Sequence, residues 1–309
     1  MKTIHKPLCL LLAAASLCAC GKSESGEQLS GGDAIRLSAG LPSASVQSKA
    51  AINSGDKFIP AVAGWESSAA ASYTAAPTWN TTTSEITAST TAQEVELTAP
   101  QVYNANGAVK TYMKAWYPQG ELNNGVVSFM GDPKYADDGT VDVLLASEVS
   151  GSKSDRENKV LAFEHLATQL KFVVKAGTGL AEGTKLTKIE LKNVDVPNGI
   201  NLTTDALLSS SKSVLAVPGI DGNLVIGTTA AGDDAGSPLM IVPPTGKTVT
   251  LKVTTSAAEF DNIVATIDGD DNFQAGKAYT ITLTFDQKNI ELSATLAEWS
   301  DGAGSGLVE

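Results

Sequence analysis

The stretch Ala278-Tyr-Thr-Ile-Thr-Leu-Thr-Phe285 decides the fold class, because large apolar and polar residues alternate along it. Tyr279, Ile281, Leu283 and Phe285 fall on one side of an extended chain, and the threonines fall on the other. A period of two is typical of a half-buried β-strand, whereas an amphipathic helix has a period near 3.6. The sequence therefore predicts a strand here.

The same alternation recurs along the chain. It is found in residues 94–98, 141–145, 170–174, 189–191, 249–253 and 290–296. The linkers between these runs are rich in Gly, Ser, Thr, Asn, Asp and Pro, which favour turns. The best helical candidate, residues 163–169, is too short to change the class. We therefore predict an all-β protein built of antiparallel β-sandwiches.

Length and one polar break predict two domains. Residues 150–159 form the longest polar, charge-dense segment between two strand patterns. We expect an N-terminal sandwich over residues 50–155 and a C-terminal one over residues 156–309. The low-complexity Ala/Ser/Thr region 67–92 indicates a long exposed loop or weak hairpin, since it can bury little apolar surface.

The first twenty residues predict export and lipidation. Lys2 and Lys6 flank the start of an apolar run, residues 8–19, which is too short to span a bilayer. The ending Leu17-Cys18-Ala19-Cys20 resembles the lipobox of bacterial lipoproteins. That resemblance implies a signal peptide over residues 1–19 and an acylated Cys20 as the first mature residue. The alternative is an ordinary cleaved signal with a cysteine nearby by chance.

Composition excludes several functions. Removing Lys2 and Lys6 leaves 20 basic and 34 acidic residues, a net charge of 20 − 34 = −14, which argues against nucleic-acid binding. All three cysteines lie in the first 20 residues, and His165 is the only histidine beyond the signal. Most metal sites built from His or Cys are therefore excluded, because their ligands are missing. A Cys nucleophile is excluded as well, because no free thiol remains. We predict no enzyme activity, no cofactor and no metal, and a structural role for His165.

Several phrases occur in an order that is typical of one protein family. They are Ala34-Ile-Arg-Leu-Ser-Ala-Gly-Leu41, Ser48-Lys-Ala-Ala51, Lys114-Ala-Trp-Tyr-Pro118, Asp142-Val-Leu-Leu-Ala-Ser147, Leu161-Ala-Phe-Glu-His-Leu-Ala-Thr-Gln-Leu-Lys171, Leu239-Met-Ile-Val-Pro243, Ala275-Gly-Lys-Ala-Tyr-Thr280 and Glu298-Trp-Ser-Asp-Gly302. With the lipobox, they make the chain similar to the fimbrillin family, the Mfa-like lipoprotein subunits of type V pili of Bacteroidales. The resemblance spans nearly the whole length.

The resemblance implies a polymerising structural protein of two transthyretin-like β-sandwiches. Such a subunit travels as a lipoprotein to the outer membrane and cell surface, where a trypsin-like protease removes its first strand. The removable strand is then Ala34 to Leu41, with Ile35, Leu37, Ala39 and Leu41 facing inward. A strand from another subunit fills the vacated groove.

The resemblance also implies a cleavage point, which must follow the removable strand. Lys49 satisfies this requirement and makes residues 20–49 a propeptide, whereas the second choice, Arg36, lies inside the strand. Arginine is common at the matching place in the family, so lysine here weakens the case for an arginine-specific protease. The alternative is that Lys49 is a solvated loop lysine.

The donor strand is expected at the C-terminus. Ile290, Leu292, Ala294 and Leu296 alternate with polar residues and supply one apolar face. The alternative is that they form only the last strand of the second sandwich. The partners implied are other pilus subunits, the outer membrane through Cys20, the protease, and host or bacterial surface receptors. Stalk, tip and anchor roles stay open.

Two other functions compete with a pilus subunit. A tip adhesin or surface glycan-binding lipoprotein would not polymerise through its C-terminus, and its stacking rings would come from Trp65, Trp79, Tyr103, Trp116 and Tyr117. A hydrolase that uses only carboxylates is the third candidate function, although the paired acidic residues do not cluster in the sequence.

Replacing the lipobox cysteine tests the proposed anchor. Cys20→Ser should abolish labelling of the exported protein by a palmitate analogue and release the protein from the membrane fraction, because no acyl chain remains to hold it. Cys18→Ser is the matched control and should keep both properties. Undiminished labelling of Cys20→Ser would contradict the assignment.

Overall fold

The structure is a computed structural model that describes residues 33–41, 51–132, 135–268, 272–287 and 290–298. These residues form twenty β-strands and no helix. The strands are β1 (Leu37–Gly40), β2 (Lys57–Phe58), β3 (Ala61–Ser67), β4 (Trp79–Thr82), β5 (Ile86–Thr87), β6 (Gln93–Val95), β7 (Lys110–Tyr117), β8 (Glu121–Asn123), β9 (Val126–Ser128), β10 (Leu144–Gly151), β11 (Lys159–His165), β12 (Thr168–Ala176), β13 (Leu186–Asn201), β14 (Ala206–Ala216), β15 (Asp233–Asp234), β16 (Leu239–Ile241), β17 (Thr248–Thr255), β18 (Glu259–Thr266), β19 (Lys277–Phe285) and β20 (Ile290–Glu298). The all-β prediction is confirmed.

The strands form three large sheets and one small ribbon. The first sheet has the order β4-β3-β7-β10-β11-β1-β6. The second has the order β15-β12-β19-β20, with β16 also on β12. The third has the order β18-β17-β13-β9-β8, with β14 also on β13, and β2 pairs with β5 as the ribbon.

Among the described residues, buried apolar side chains form three large cores: the first draws on residues 35–163, the second on residues 170–294, and the third on residues 61–145 together with Ile200 and Leu202. The second and third sheets pack face to face around the second core, in which every large apolar residue of β19 takes part. Tyr279, Ile281, Leu283 and Phe285 are at most 2% exposed and meet the buried side chains of β13 and β17. The threonines between them are half-buried on the other face of the sheet. The alternation along β19 thus predicts both the strand and its buried face.

The first sheet is buried on both faces at its centre, so successive residues enter different cores. On β10, Leu144 and Ala146 join the first core, while Leu145 joins the third core on the other face. The ribbon closes the first core with Phe58 and Ile86. Strands buried on both faces have continuous apolar runs rather than alternation, and this explains the five buried residues that open β3.

The third core joins the two halves of the sequence. The β8–β9 hairpin lies in the N-terminal half of the chain, yet β9 pairs with the far end of β13. The side chain of Lys114, on β7, is 4% exposed, and its Nζ donates to the Leu202 carbonyl at 2.7 Å and to the Asp205 carboxylate. A buried ammonium needs such partners. The halves are therefore held by backbone pairing, apolar contact and ion pairs, which include Lys114 with Asp205 and Lys212 with Asp137.

Some expectations are wrong in detail. The helical candidate 163–169 forms the end of β11, a bend and the start of β12, because Phe163 and Leu170 are needed in different cores. The sheets are not wholly antiparallel, since β1 runs parallel to β11 and β12 runs parallel to β19. The low-complexity region 67–92 contains β4 and β5, and its Ile86 is buried.

The predicted domain division stays a prediction. The expected junction between residues 155 and 156 lies in the turn between β10 and β11, two strands that pair with each other in the first sheet. Buried residues of the first core come from residues 35–163 and those of the second core from residues 170–294. The change from one core to the other therefore comes after His165.

Truncating a first-core residue tests this packing. Phe163→Ala should lower the free energy of unfolding by about 3–5 kcal/mol, because the fully buried ring leaves a cavity between the first sheet and Phe58. Val160→Ala is the matched control on the same strand; its side chain is 47% exposed, so the change should stay within about 0.5 kcal/mol. Urea denaturation followed by tryptophan fluorescence measures both, and equal losses would contradict the assignment.

Candidate functional site

Strand β1, which carries the predicted removable residues, lies inside the first sheet. It pairs in parallel with β11, Leu37 opposite Lys159, and antiparallel with β6, Leu37 opposite Val95. Strand β6 is three residues long and lies at the end of the sheet. Both edges of β1 are thus hydrogen-bonded, and its absence would leave β11 with an open edge.

The four predicted inward-facing residues are all buried. Ile35 is 9% exposed, Leu37 1%, Ala39 2% and Leu41 0%, and all four belong to the first core. The other face of β1 also has little room. Ser38 accepts a hydrogen bond from Asn158 Nδ2 at 2.6 Å, and the Cα atom of Ala92 lies 3.2 Å from where a Cβ on Gly40 would be.

Main-chain hydrogen bonds also hold the residues just before and just after β1 in the chain. Ile35 N–H donates to the Gln101 carbonyl at 2.9 Å, and Leu41 N–H donates to the Ser89 carbonyl at 2.8 Å. The carbonyl of Arg36 accepts from Lys159 N–H at 3.1 Å. Arg36 itself is exposed, and a cut after it would divide the bonded segment.

A charged cluster binds the N-terminal end of this segment. Asp33 lies 2.8 Å from Lys153 Nζ and 3.0 Å from Arg156 Nη1. Lys153 occupies a tight turn in which Ser152 and Asp155 exchange backbone hydrogen bonds. The hydrogen bond from Lys153, with the charges of both cations, holds the pKa of Asp33 below its usual value. The cluster is therefore formed above the usual carboxyl pKa, and its contribution is lost as the pH falls through the lowered one.

A buried carboxylate anchors the chain at Ile52. Asp142 is 1% exposed, and its Oδ2 accepts from Ile52 N–H at 2.9 Å and lies 2.8 Å from His165 Nδ1. Its Oδ1 accepts from Val143 N–H at 2.8 Å. Ala51 is also buried, beside Ala167 and Met240. His165 thus has the structural role that the sequence predicts.

The predicted cleavage site and anchor lie outside the described residues. Lys49 falls between Leu41 and Ala51, the two places where the described chain is anchored, and Cys20 precedes residue 33. Cleavage at Lys49 and acylation of Cys20 stay predictions.

The predicted donor strand β20 lies at the end of the second sheet. It pairs antiparallel with β19 over nine residues, and a single bridge joins Ala294 to Ile267. Ala294 is 2% exposed in the second core, Ile290 is partly buried against it, and Leu296 is 53% exposed. The strand is therefore the last strand of its own sheet in this structure, and its donation stays a prediction.

The aromatic residues considered for glycan stacking do not form an open platform. Trp65, Tyr103 and Trp116 are at most 3% exposed, and burial raises the pKa of Tyr103 to about 12. Trp79 covers Gly64, with ring atoms 2.2–2.6 Å from where a glycine Cβ would be. Tyr117 packs edge-on against Phe58. The expectation of a stacking surface built from these five residues is wrong, because the cores need their apolar area.

Comparison with known proteins identifies the family. The family model described as fimbrillin-like matches residues 46–299. This chain belongs to the fimbrillin-like family. No curated protein matches it. Membership supports a role as a fimbrial subunit at the cell surface and a structural, non-enzymatic role.

Solved structures share the fold of this fimbrillin-like chain. A cell adhesion protein from Bacteroides uniformis is 18% identical with a TM-score of 0.53, covering 86% of this chain and 99% of its own. One from Bacteroides ovatus gives the same identity and TM-score over 86% and 96%. The tip fimbrial protein Mfa3 from Porphyromonas gingivalis is 11% identical with a TM-score of 0.46, over 86% and 99%. The two cell adhesion proteins, with TM-scores above 0.5, support the fold and nothing beyond it.

Within the described residues, no helix is long and apolar enough to cross a membrane. No group of three or more His, Cys, Asp and Glu residues that could hold a metal ion occurs in the same part of the chain.

The sequence did not single out the residues that anchor β1. Lys153 and Arg156 lie in the stretch taken as a domain junction, and Asp33 precedes the first strand pattern. The ion pairs depend on the parallel pairing of β1 with β11, which joins segments about 120 residues apart. Asp142 sits just before an apolar run, and a buried carboxylate leaves no periodic signal.

Removing the Asp142 carboxylate tests the anchor. Asp142→Ala should cost about 3 kcal/mol of unfolding free energy, because buried N–H groups of Ile52 and Val143 lose their acceptor. Hydrogen exchange of the Ile52 amide should also accelerate. The exposed neighbour on β11, Glu164→Ala, should change neither. Unchanged protection of Ile52 in Asp142→Ala would show that the anchor does not hold this segment.

Proposed function

We propose that this protein is a structural subunit of a cell-surface fimbria, serving adhesion, that polymerises by exchanging β1 for a strand of another subunit. It is exported as a lipoprotein through Cys20 and reaches the outer membrane, where a trypsin-like protease cuts after Lys49. The observation that carries the proposal is the position of β1, an interior strand of the first sheet that belongs to the part of the chain before the cut.

The energetics of β1 support exchange. Its loss would expose the sites of an isoleucine and two leucines, each worth about 1.5–3 kcal/mol when buried. It would also leave unpaired groups on β11 and β6, each hydrogen bond contributing about 1 kcal/mol net. Such a groove is unstable in water and binds an extended strand of suitable pattern.

The anchoring on both sides of Lys49 supports a cut at this place. Leu41 is held through Ser89, and Ile52 is held through Asp142. A cut between them breaks the covalent link without breaking a described contact. The body then keeps its Asp142 anchor, while the described part of the segment before the cut is retained by β1, by the hydrogen bonds that flank it and by the cluster around Asp33. One cut therefore releases both the membrane anchor and the strand.

A terminal subunit or tip adhesin is the second candidate. The nine residues of β20 paired with β19, and the burial of Ala294 in the second core, favour a C-terminal strand that stays in its own sheet. Such a subunit would accept a strand without donating one. It would cap a fibre rather than extend it.

Controlled proteolysis tests the proposed function. Limited digestion of the purified full chain with a lysine-specific protease should give a new N-terminus at Ala50 and ladders that survive unheated gel electrophoresis. Lys49→Ala should stay monomeric under the same digestion, because its β1 stays covalently attached. Lys57→Ala, which removes an exposed lysine of the body, should behave like the unaltered chain.

Two other results would change the conclusion. Cut protein that never forms ladders, even when β1 has left, would contradict polymerisation. Cut protein that accepts a strand but whose own β20 is never donated would favour the terminal subunit.

A further inference from the structure

A cleft lies between the small ribbon and the turn that follows β7. Its volume is about 580 Å³, open solvent at its mouth included, which falls within the roughly 300–1,000 Å³ of typical small-ligand sites. Its lining consists of Lys57, Phe58, Ile59, Glu85, Tyr117, Pro118, Gln119 and Asp132. These residues belong neither to β1 nor to β20, so the cleft is separate from the strands discussed for exchange.

Hydrogen bonds fix the walls of the cleft. Gln119 Nε2 donates to the Ile59 carbonyl at 3.1 Å, which ties the turn after β7 to the ribbon. The Gln119 carbonyl accepts at 2.7 Å from Nε1 of Trp116, a fully buried residue. The turn that carries Asp132 is closed by a bond of 3.1 Å from its N–H to the Phe129 carbonyl. The cleft is therefore preformed, as small-molecule sites usually are.

The apolar part of the lining includes surface that the cores do not use. Phe58 is 3% exposed and packs against Phe163 in the first core. Ile59, the next residue, is half-buried and contributes to none of the three large cores. Tyr117 is half-buried at the edge of the first core. Ile59 and Tyr117 thus offer an apolar contact to a ligand, and covering them would remove that surface from water.

The polar part of the lining provides donors and acceptors side by side. Lys57 Nζ lies 2.6 Å from Glu85 Oε1, and both side chains are more than half exposed. Burial, with the charges of Asp142 and Asp132, raises the pKa of Tyr117, so its hydroxyl stays protonated. The lining therefore supplies an ammonium and a hydroxyl as donors and two carboxylates as acceptors.

This mixture of charges selects a class of ligand. A cationic ligand would lie beside Lys57, and an anionic one would lie beside Glu85 and Asp132. A purely apolar ligand would take water from these charged groups without giving them partners. A neutral ring with several hydroxyl groups avoids all three costs, because its hydroxyls pair with the charged groups and its C–H face covers Tyr117 and Ile59.

We infer that this cleft binds a neutral sugar residue of a surface glycan. The inference rests on the adhesive role in the proposed function and names the chemical class of the receptor. One sugar hydroxyl accepts from Lys57 while its neighbour donates to Glu85. A cleft of this kind binds a single sugar residue weakly, and a fibre that repeats it in every subunit would engage many glycan chains at once.

Ligand-observed NMR on the purified full chain tests the inference. The probes are glucose, galactose, mannose, fucose and N-acetylglucosamine, with N-acetylneuraminic acid as the anionic comparison. We expect saturation transfer to at least one neutral sugar and at least tenfold weaker binding of the anionic one, because its carboxylate would face Glu85 and Asp132. An array of host-type and bacterial glycans then separates the two sources of the sugar.

Paired variants locate the sugar in the cleft. Tyr117→Phe keeps the ring and removes the hydroxyl, and Glu85→Gln removes a carboxylate charge. Each should weaken binding about fivefold or more, as loss of one hydrogen bond does. Tyr112→Phe on the same strand and the exposed Glu94→Gln on β6 are the matched controls and should bind like the unaltered chain. Thermal unfolding of all four verifies that each is folded.

The remaining outcomes separate the inference from the proposed function. Binding that is unchanged in both cleft variants would place the sugar elsewhere and overturn the inference. Preference for the anionic sugar, or no binding to any probe or to the array, would overturn it too. These results leave fibre assembly standing, because the digestion assay depends on β1 and not on the cleft. Sugar binding by a chain that never forms ladders would contradict assembly and support the cleft.

Discussion

The pairing of β1 on both of its edges is the constraint on which the first sheet depends. Strand β11 has β10 on one side and β1 on the other, and among the described strands β6 pairs only with β1. The four buried residues of the segment also complete the first core beneath the sheet. A segment from the start of the chain thus occupies an interior position in the sheet. Its covalent link to the rest of the body runs through residues 42–50, so a single cut there would leave it held by non-covalent contacts.

The long strand β13 has the corresponding role in the second half. Its first part pairs with β17 and contributes Leu186, Ile189 and Leu191 to the second core. Its far end pairs with β9 and contributes Ile200 to the third core. One strand therefore belongs to the sandwich of the C-terminal half and covers the back of the first sheet.

Much of this fold could be predicted from sequence where a strand is buried on one face. The period of two marked β19 and β20, and the family resemblance pointed to β1 and its inward residues. It failed at residues 163–169, where a tight connection between two doubly buried strands resembles a short amphipathic helix. Parallel pairing of β1 with β11 could not be predicted, since it depends on contacts between distant segments. The anchor at Asp33 follows from that pairing, and the anchor at Asp142 depends on contacts with the distant Ile52 and His165, so both were hidden as well.

The joint around Lys114 and β9 has a mechanical consequence. Two halves connected only by a linker would rotate independently of each other, and a fibre made of such subunits would bend inside each subunit. Here a hinge would have to break the β9 ladder, open the third core and expose a buried ammonium bound to Leu202 and Asp205. Bending of an assembled fibre would therefore concentrate at the contacts between subunits, and each subunit would transmit tension as one stiff link.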